Sequence, residues 1–290
     1  MNAPTWFRWL KYRFFLPIIS FLPLFIGYRL IAWIGPRYFF RYESNWVNNF
    51  RFGLKSFFAD ADESLIENWT RLHFEMMAKE ELDVFHLSRM SAKNYQKWVT
   101  FDLSAIDTNT GGNLLLIGHF NRTILLSALG MANMPCGVLT TSIEDNPHLD
   151  VFMKHYLQKK MLMAINNMKG SWLTNNEGRR LYRLLHTNEN MVVAIDVPGP
   201  KSIDFLNGKI YLSDSIFRLA KKTNVSLYYL QILDRRNSFF AIDVRAVKIN
   251  IDNQDAFLHT VKYLEQDIIK YPWLWWQWNA FNALWRPHNE

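Results

Sequence analysis

The sequence predicts an α/β protein: a mostly parallel central sheet flanked by helices, preceded by an N-terminal hydrophobic, membrane-associating helical segment. Three observations predict it. From residue 113 onward, short apolar runs alternate with stretches of helical period, the pattern of parallel strands joined by crossover helices. The chain has 290 residues, 49% of them hydrophobic and 20% charged, enough to bury one sizeable core and too apolar for a disordered scaffold. The first 42 residues join a long apolar run to six basic residues and no acidic one.

Taken in order, that first segment explains the charge of the whole chain. Arg8, Lys11, Arg13, Arg29, Arg37 and Arg41 supply six of the seven excess positive charges, and the remainder is nearly balanced. No Lys/Arg-rich run elsewhere offers a phosphate-backbone footprint, so nucleic acid is excluded as a partner. The apolar run Phe14–Tyr28 is shorter than the ~20 residues that cleanly span a bilayer. Pro17 and Pro23 interrupt it, and Arg29 closes it. The expectation is a helix lying in or dipping into one leaflet, with arginines at anionic headgroups and Trp6, Trp9, Trp33 and Tyr38 at the interface. A hairpin that only covers the core is the alternative, and a full span with Arg29 snorkelling a further one. Residues 1–42 are thus expected as a membrane-associating segment, and 43–290 as one α/β domain.

Leu65, Trp69, Leu72 and Met76 recur at helical spacing. Strands are then expected at 113–119, 136–142, 161–165 and 191–196, and helices at 123–131, 150–159, 177–185 and 213–221. A loop carries Pro198, Gly199 and Pro200. Residues 225–233 and 239–249 read as a hairpin at an antiparallel edge, and 256–269 as a last helix.

Several chemistries are excluded. The single cysteine, Cys136, leaves no disulfide framework and suits a reducing compartment. There is no G-x-S-x-G, Walker A or G-x-G-x-x-G pattern, and no HExxH; His148 and His155 are too far apart in sequence to share a metal. The expectation is therefore no metal and no resident cofactor.

His119 is the informative residue. It ends the apolar strand NLLLIGH and precedes a helix, and in an open α/β sheet the carboxyl ends of strands face the ligand crevice. An imidazole there can take a proton from a hydroxyl that attacks a carbonyl, provided a partner fixes its tautomer. A buried histidine with no chemistry is the alternative. Arg122, near a helix N-terminus, suits an anion such as a phosphopantetheine arm or lipid phosphate, or is simply a surface arginine. Arg179, with Arg180 and Arg183, forms a basic helix face that could meet phosphates or merely be solvated. Trp273, Trp275, Trp276 and Trp278 suit an acyl channel, the membrane interface or the core.

Five features run in order along the chain: the basic, proline-broken apolar N-terminus; WVNNFRFGLKSFFADADESLIENWTRLHFE; GHF at 118–120; Asn146-Pro147-His148-Leu149-Asp150; and Asp196-Val197-Pro198-Gly199-Pro200 followed by the ending YPWLWWQWNAFNALWRP. In these the chain resembles the lipid A biosynthesis (lauroyl/myristoyl) acyltransferase family, within the lysophospholipid acyltransferase superfamily. The resemblance implies transfer of a fatty acyl group from an acyl-carrier-protein or coenzyme A thioester to a hydroxyl, with an amine as the lesser alternative, on a glycolipid or lipid-linked glycan such as a lipopolysaccharide precursor. It implies work at the cytoplasmic face of the inner membrane, on membrane lipid, without metal. It implies His119 as general base, with Asn146 and Asp150 matching the family's NPxxD segment; together with Asn121, Arg122 and Arg179 these are the candidate substrate contacts. The segment opening at Asn146-Pro147 also reads as a turn starting a helix.

One departure stands out. The family motif is His followed, after four residues, by Asp or Glu, and here that place holds Ile124. Another acid is expected to substitute, with Asp196 at a nearby strand end first and Glu144 or Asp145 next. The alternative is a catalytically weakened homologue that serves as a lipid-binding, acyl-binding or scaffold subunit.

Overall fold

The computed structural model describes residues 5–107, 112–120, 122–144, 151–234, 242–280 and 284–287. A seven-stranded sheet runs through it in the order β1-β9-β8-β2-β5-β3-β4. The strands are β1 (Val99–Asp102), β2 (Leu114–Ile117), β3 (Cys136–Thr140), β4 (Lys169–Thr174), β5 (Asn190–Ala194), β8 (Leu227–Asp234) and β9 (Ile242–Ile249). Strands β8, β2, β5, β3 and β4 are mutually parallel; β9 pairs antiparallel with β8, and β1 runs parallel to β9. The expected hairpin at 225–249 therefore exists but is not the edge, because β1 covers β9. The centre of the sheet is apolar on both faces: Leu114, Leu115, Leu116, Met191 and Val192 are all fully buried, as a parallel sheet flanked by helices requires.

Helices α6 (Ile124–Met131), α7 (Val151–Met168), α8 (Gly178–His186), α9 (Ser215–Thr223) and α10 (Ala256–Lys270) supply the connections and flanks. The run MLMAI at 161–165, expected as a strand, lies inside α7. Its buried residues Met161, Ala164 and Met168 recur at three and four, while Leu162 is exposed. Five apolar residues in a row cannot by themselves distinguish the two periods. The strand comes directly after, as Lys169 turns the chain from helix to strand in the left-handed region, at φ 59°. Likewise the loop expected around Pro198 to Pro200 belongs to a strand, β6 (Pro198–Phe205). With β7 (Gly208–Leu212) and β10 (Trp285–Pro287) it forms a second, antiparallel sheet in the order β10-β7-β6. Its prolines are tolerated because β6 is an edge strand with an irregular register between Pro198 and Lys201.

The N-terminal third is helical throughout. A continuous helical stretch runs through α1 (Thr5–Leu10), a π-helical segment (Lys11–Phe15) and α2 (Leu16–Ser20), turns at Phe21 to Pro23, and returns as α3 (Leu24–Tyr42). After α4 (Ser44–Phe57) comes the long helix α5 (Glu63–Leu87), the spine on which this collar is mounted. The helix expected from Leu65, Trp69, Leu72 and Met76 is present, and Met76 is buried, but the buried face centres on Ile66, Thr70, His73, Phe74 and Met77, leaving Trp69 and Leu72 half-buried and Leu65 exposed. Gly35 permits the close approach of α3 and α5: an added Cβ would stand 2.2 Å from Ala78 Cβ. Polar bonds lock the collar in place. Arg8 reaches Glu43 at 2.9 Å, Lys11 reaches Glu81 at 2.7 Å, Tyr12 donates to Glu81 at 2.8 Å, and Tyr28 donates to the buried Asp83. Among the described residues, no helix is long and apolar enough to cross a membrane.

Backbone contact between β3 and β4 makes Gly170 the most demanding glycine of the sheet. A Cβ there would lie 2.2 Å from Cys136 carbonyl atoms, with no flexible side chain able to give way. Gly170→Ala is accordingly expected to destabilise the fold by about 1–3 kcal/mol or more, seen as a lowered thermal unfolding midpoint.

Candidate active site

His119 and Asp196 meet because of sheet register. Strands β2 and β5 are parallel neighbours with Ile117 opposite Ala194, so the residues two positions beyond each strand end also face one another. Those residues are His119 and Asp196. The connection leaving β2 carries the chain past β5 to β3, whereas the one leaving β5 leads past β2 to β8. This divergence is where an open α/β sheet forms its ligand crevice.

The Asp196 carboxylate has no exposed surface, and three donors satisfy it. His119 Nδ1–H donates to Oδ1 at 2.7 Å, while the His119 backbone N–H and Trp275 Nε1–H donate to Oδ2 at 2.8 and 2.7 Å. Desolvation alone would raise the Asp196 value, but the His119 charge and these hydrogen bonds hold it below the ordinary carboxylate range. For His119, desolvation pulls the value down, and the charge and hydrogen bond of Asp196 more than reverse it, leaving it above 6.5. With Nδ1–H committed to the carboxylate, Nε2 is the lone-pair nitrogen of the neutral ring. The His119 side chain is 45% exposed. It is not a sealed core histidine. His73 and His86 are: burial drives both down to about 4, and both stay neutral in the core.

The C-terminal segment closes over this pair. Trp276 N–H donates to the His119 carbonyl at 2.8 Å, Phe120 and Trp275 form an isolated antiparallel bridge, and the Gln277 amide donates to the Asp196 carbonyl at 3.3 Å while lying 2.9 Å from His119 Nδ1. Trp275 and Trp278 are buried, Trp273 and Trp276 half-buried, so the tryptophan-rich ending divides between the core and the site.

His119 opens onto a cavity of about 500 Å³, within the usual range of small-molecule sites. Its walls are largely apolar, among them Leu125, Leu126, Val138, Ile143, Met161 and Trp276. One polar cluster lies in its wall: buried Glu80 accepts from the Thr123 backbone N–H at 2.8 Å and hydroxyl at 2.5 Å, and pairs with Lys160. Arg122 also lines the cavity, but its guanidinium is buried and pairs with Asp83 at 3.0 Å, so its charge is already compensated within the fold. Burial pushes the Asp83 carboxyl up to about 6 against the pull of that arginine. Arg179 lies exposed on α8 and does not line the cavity; Glu144 is exposed, accepts from Gln158 and does not line it either. Asn121, Asp145, Asn146 and Asp150 lie outside the described residues. Among the described residues there is no cluster of side chains able to hold a metal ion.

Gln277, Glu80 and Lys160 had no signal in the sequence, since each reaches the site from a remote segment; Trp275 stood out only as one of four clustered tryptophans, with nothing to tie it to Asp196. No protein-family model matches the chain, and no curated protein matches it either.

Ile124, five positions after His119, has no exposed surface and packs in the core. The carboxylate that bonds the His119 ring is Asp196, two residues past the end of the neighbouring strand β5. Ile124→Glu is therefore expected to cost roughly 2–7 kcal/mol of stability by burying a carboxyl without a built partner, measurable as a lowered denaturation midpoint.

Proposed function

We propose that the protein is a membrane-associated acyltransferase that moves a fatty acyl group from an acyl-carrier-protein or coenzyme A thioester to a hydroxyl of a glycolipid or lipid-linked glycan. The observation that carries this reading is the Asp196 carboxylate on Nδ1 of a solvent-reachable His119, at the mouth of a cavity with hydrocarbon walls. In the reaction, the acceptor O–H gives its proton to His119 Nε2 as its oxygen attacks the thioester carbonyl. Asp196 stays ionised and stabilises the imidazolium. The tetrahedral intermediate then collapses, the C–S bond breaks, and the imidazolium returns the proton to the departing sulfur. The products are an ester and a thiol, and the ring is again neutral. The apolar walls suit an acyl tail and exclude the water that would otherwise hydrolyse the donor.

Work at the cytoplasmic face of the inner membrane is part of the proposal. Its support is the collar: Trp6, Phe14, Ile18, Phe21, Ile26 and Trp33 are exposed large apolar side chains on a segment whose charges are all positive. The rival reading, a catalytically weakened relative acting as a lipid-binding scaffold, draws on Ile124. The Asp196 contact weighs against it, because the imidazole does not lack a carboxylate.

Incubation with an acyl thioester and a membrane lipid extract is expected to yield an acylated lipid, and His119→Ala to abolish the product. Asp196→Asn is expected to slow it by about 10²–10⁴-fold. Because the base must be neutral, the wild-type rate should rise with pH through an inflection above 6.5, and Asp196→Asn should move that inflection down. Equal lipid acylation by wild type and His119→Ala would refute the assignment of the base.

A further inference from the structure

A second cavity, of about 620 Å³, lies within the N-terminal collar and shares no lining residue with the first. Helix α5 stands between them, contributing Ala78 and Glu81 to one and Glu80 to the other. The collar cavity is walled by Phe7, Leu10, Phe14, Ile31, Ile34 and Tyr38. Leu10, Phe14 and nearby Ile18 are themselves among the exposed apolar residues, so the cavity is continuous with the surface patch of the collar.

Its polar groups are distributed unevenly. Glu81 is neutralised by Lys11 at 2.7 Å and accepts from the Tyr12 hydroxyl. Arg37 and Arg41, one turn apart on α3, are exposed, and neither has a carboxylate within ion-pair distance among the described residues. Arg37 is held in place by the Trp33 carbonyl at 2.6 Å and by stacking 4.4 Å above the Trp33 ring. An oil-lined slot with two exposed guanidinium groups that lack a carboxylate partner among the described residues, one of them fixed against a tryptophan, matches one molecule in both its parts: hydrocarbon for the slot and an anion for the rim.

We propose that this groove takes one acyl chain of an anionic phospholipid, with the headgroup phosphate on Arg37 and Arg41. It is a lipid-holding site separate from the His119 crevice, and it rests on membrane association but not on acyl transfer. The charge excludes a second copy of this chain as the occupant, because two identical arginine rims would repel. A bilayer supplies both the hydrocarbon and the negative surface, and each arginine near such a surface adds to the attraction.

The test uses the full chain bound to phosphatidylcholine vesicles that contain phosphatidylglycerol with a photoactivatable diazirine midway along one acyl chain, followed by peptide mapping. Labelling is expected within the groove, at peptides bearing Phe14 and Ile34. The Arg37→Gln/Arg41→Gln double variant is expected to lower that labelling about tenfold or more. Ile34→Trp, which fills the slot, should abolish it while the protein still floats with the vesicles. Both sets of substitutions are checked for folding by thermal unfolding. Labels confined to Trp6, Phe21 and Phe25 on the outer surface would overturn the proposal, as would equal groove labelling by a diazirine phosphatidylcholine probe. Failure to float with vesicles at all would overturn it together with the membrane reading, whereas flotation without groove labelling would remove the groove alone.

Discussion

A carboxylate with no exposed surface must be compensated where it stands, and the arrangement around Asp196 follows from that constraint. Stranding a charge in the interior costs several kcal/mol unless it is hydrogen-bonded on all sides. Asp196 meets the requirement with three donors from two distant parts of the chain: the backbone and ring of His119, and the indole of Trp275. The same bonds that make the charge tolerable also orient the imidazole. Because both Asp196 oxygens are occupied, the ring is held with Nδ1 inward and Nε2 outward, and the C-terminal segment is pinned over the strand ends by Trp276 and Gln277. Burial of the acid and exposure of the base are thus two sides of one arrangement. A dyad in which both partners were exposed would gain much less from the charge, since water would screen it.

Helix α5 links that site to the rest of the molecule. On one side its Glu80 anchors Thr123 and Lys160 at the wall of the His119 cavity; one residue on, Glu81 receives Lys11 and Tyr12 from the collar; Asp83 joins Tyr28 of the collar to Arg122 of the cavity. Three acids within four positions therefore tie the apolar N-terminus to the α/β body through buried and half-buried polar contacts. The collar is part of the folded body and presents its other face outward, which differs from an anchor tethered to an independent domain. Removing it would strip Tyr28 from Asp83, leaving that acid with Arg122, would take Lys11 and Tyr12 from Glu81, and would expose the face of α5 around Ala78.

Much of this was legible in the sequence, and the rest was hidden for identifiable reasons. The strand ending in His119 and the alternation of strands and helices are local patterns, and they were found where the apolar period is unambiguous. The run at 161–165 misled because five consecutive apolar residues suit a buried strand and a buried helix equally well. Strands β6 and β7 were missed because prolines and glycine mask a strand that lies at an edge. The pairing of His119 with Asp196 could be suggested from two strand ends but depended on β2 and β5 being neighbours in register, a fact of the sheet and not of either segment. The bond from Trp275 to Asp196 and the place of Gln277 were out of reach: these contacts cross 79 and 81 positions of chain and rest on how the ending folds back.

The most direct test of the account is a nuclear magnetic resonance titration of the His119 ring nitrogens in the full-length protein. The expected result is a neutral form carrying its proton on Nδ1 and a titration midpoint above 6.5 that falls when Asp196 is replaced by Asn. A midpoint at or below 6.5, with the neutral ring protonated on Nε2 instead, would mean that Asp196 does not hold the imidazole, and the central claim would fail.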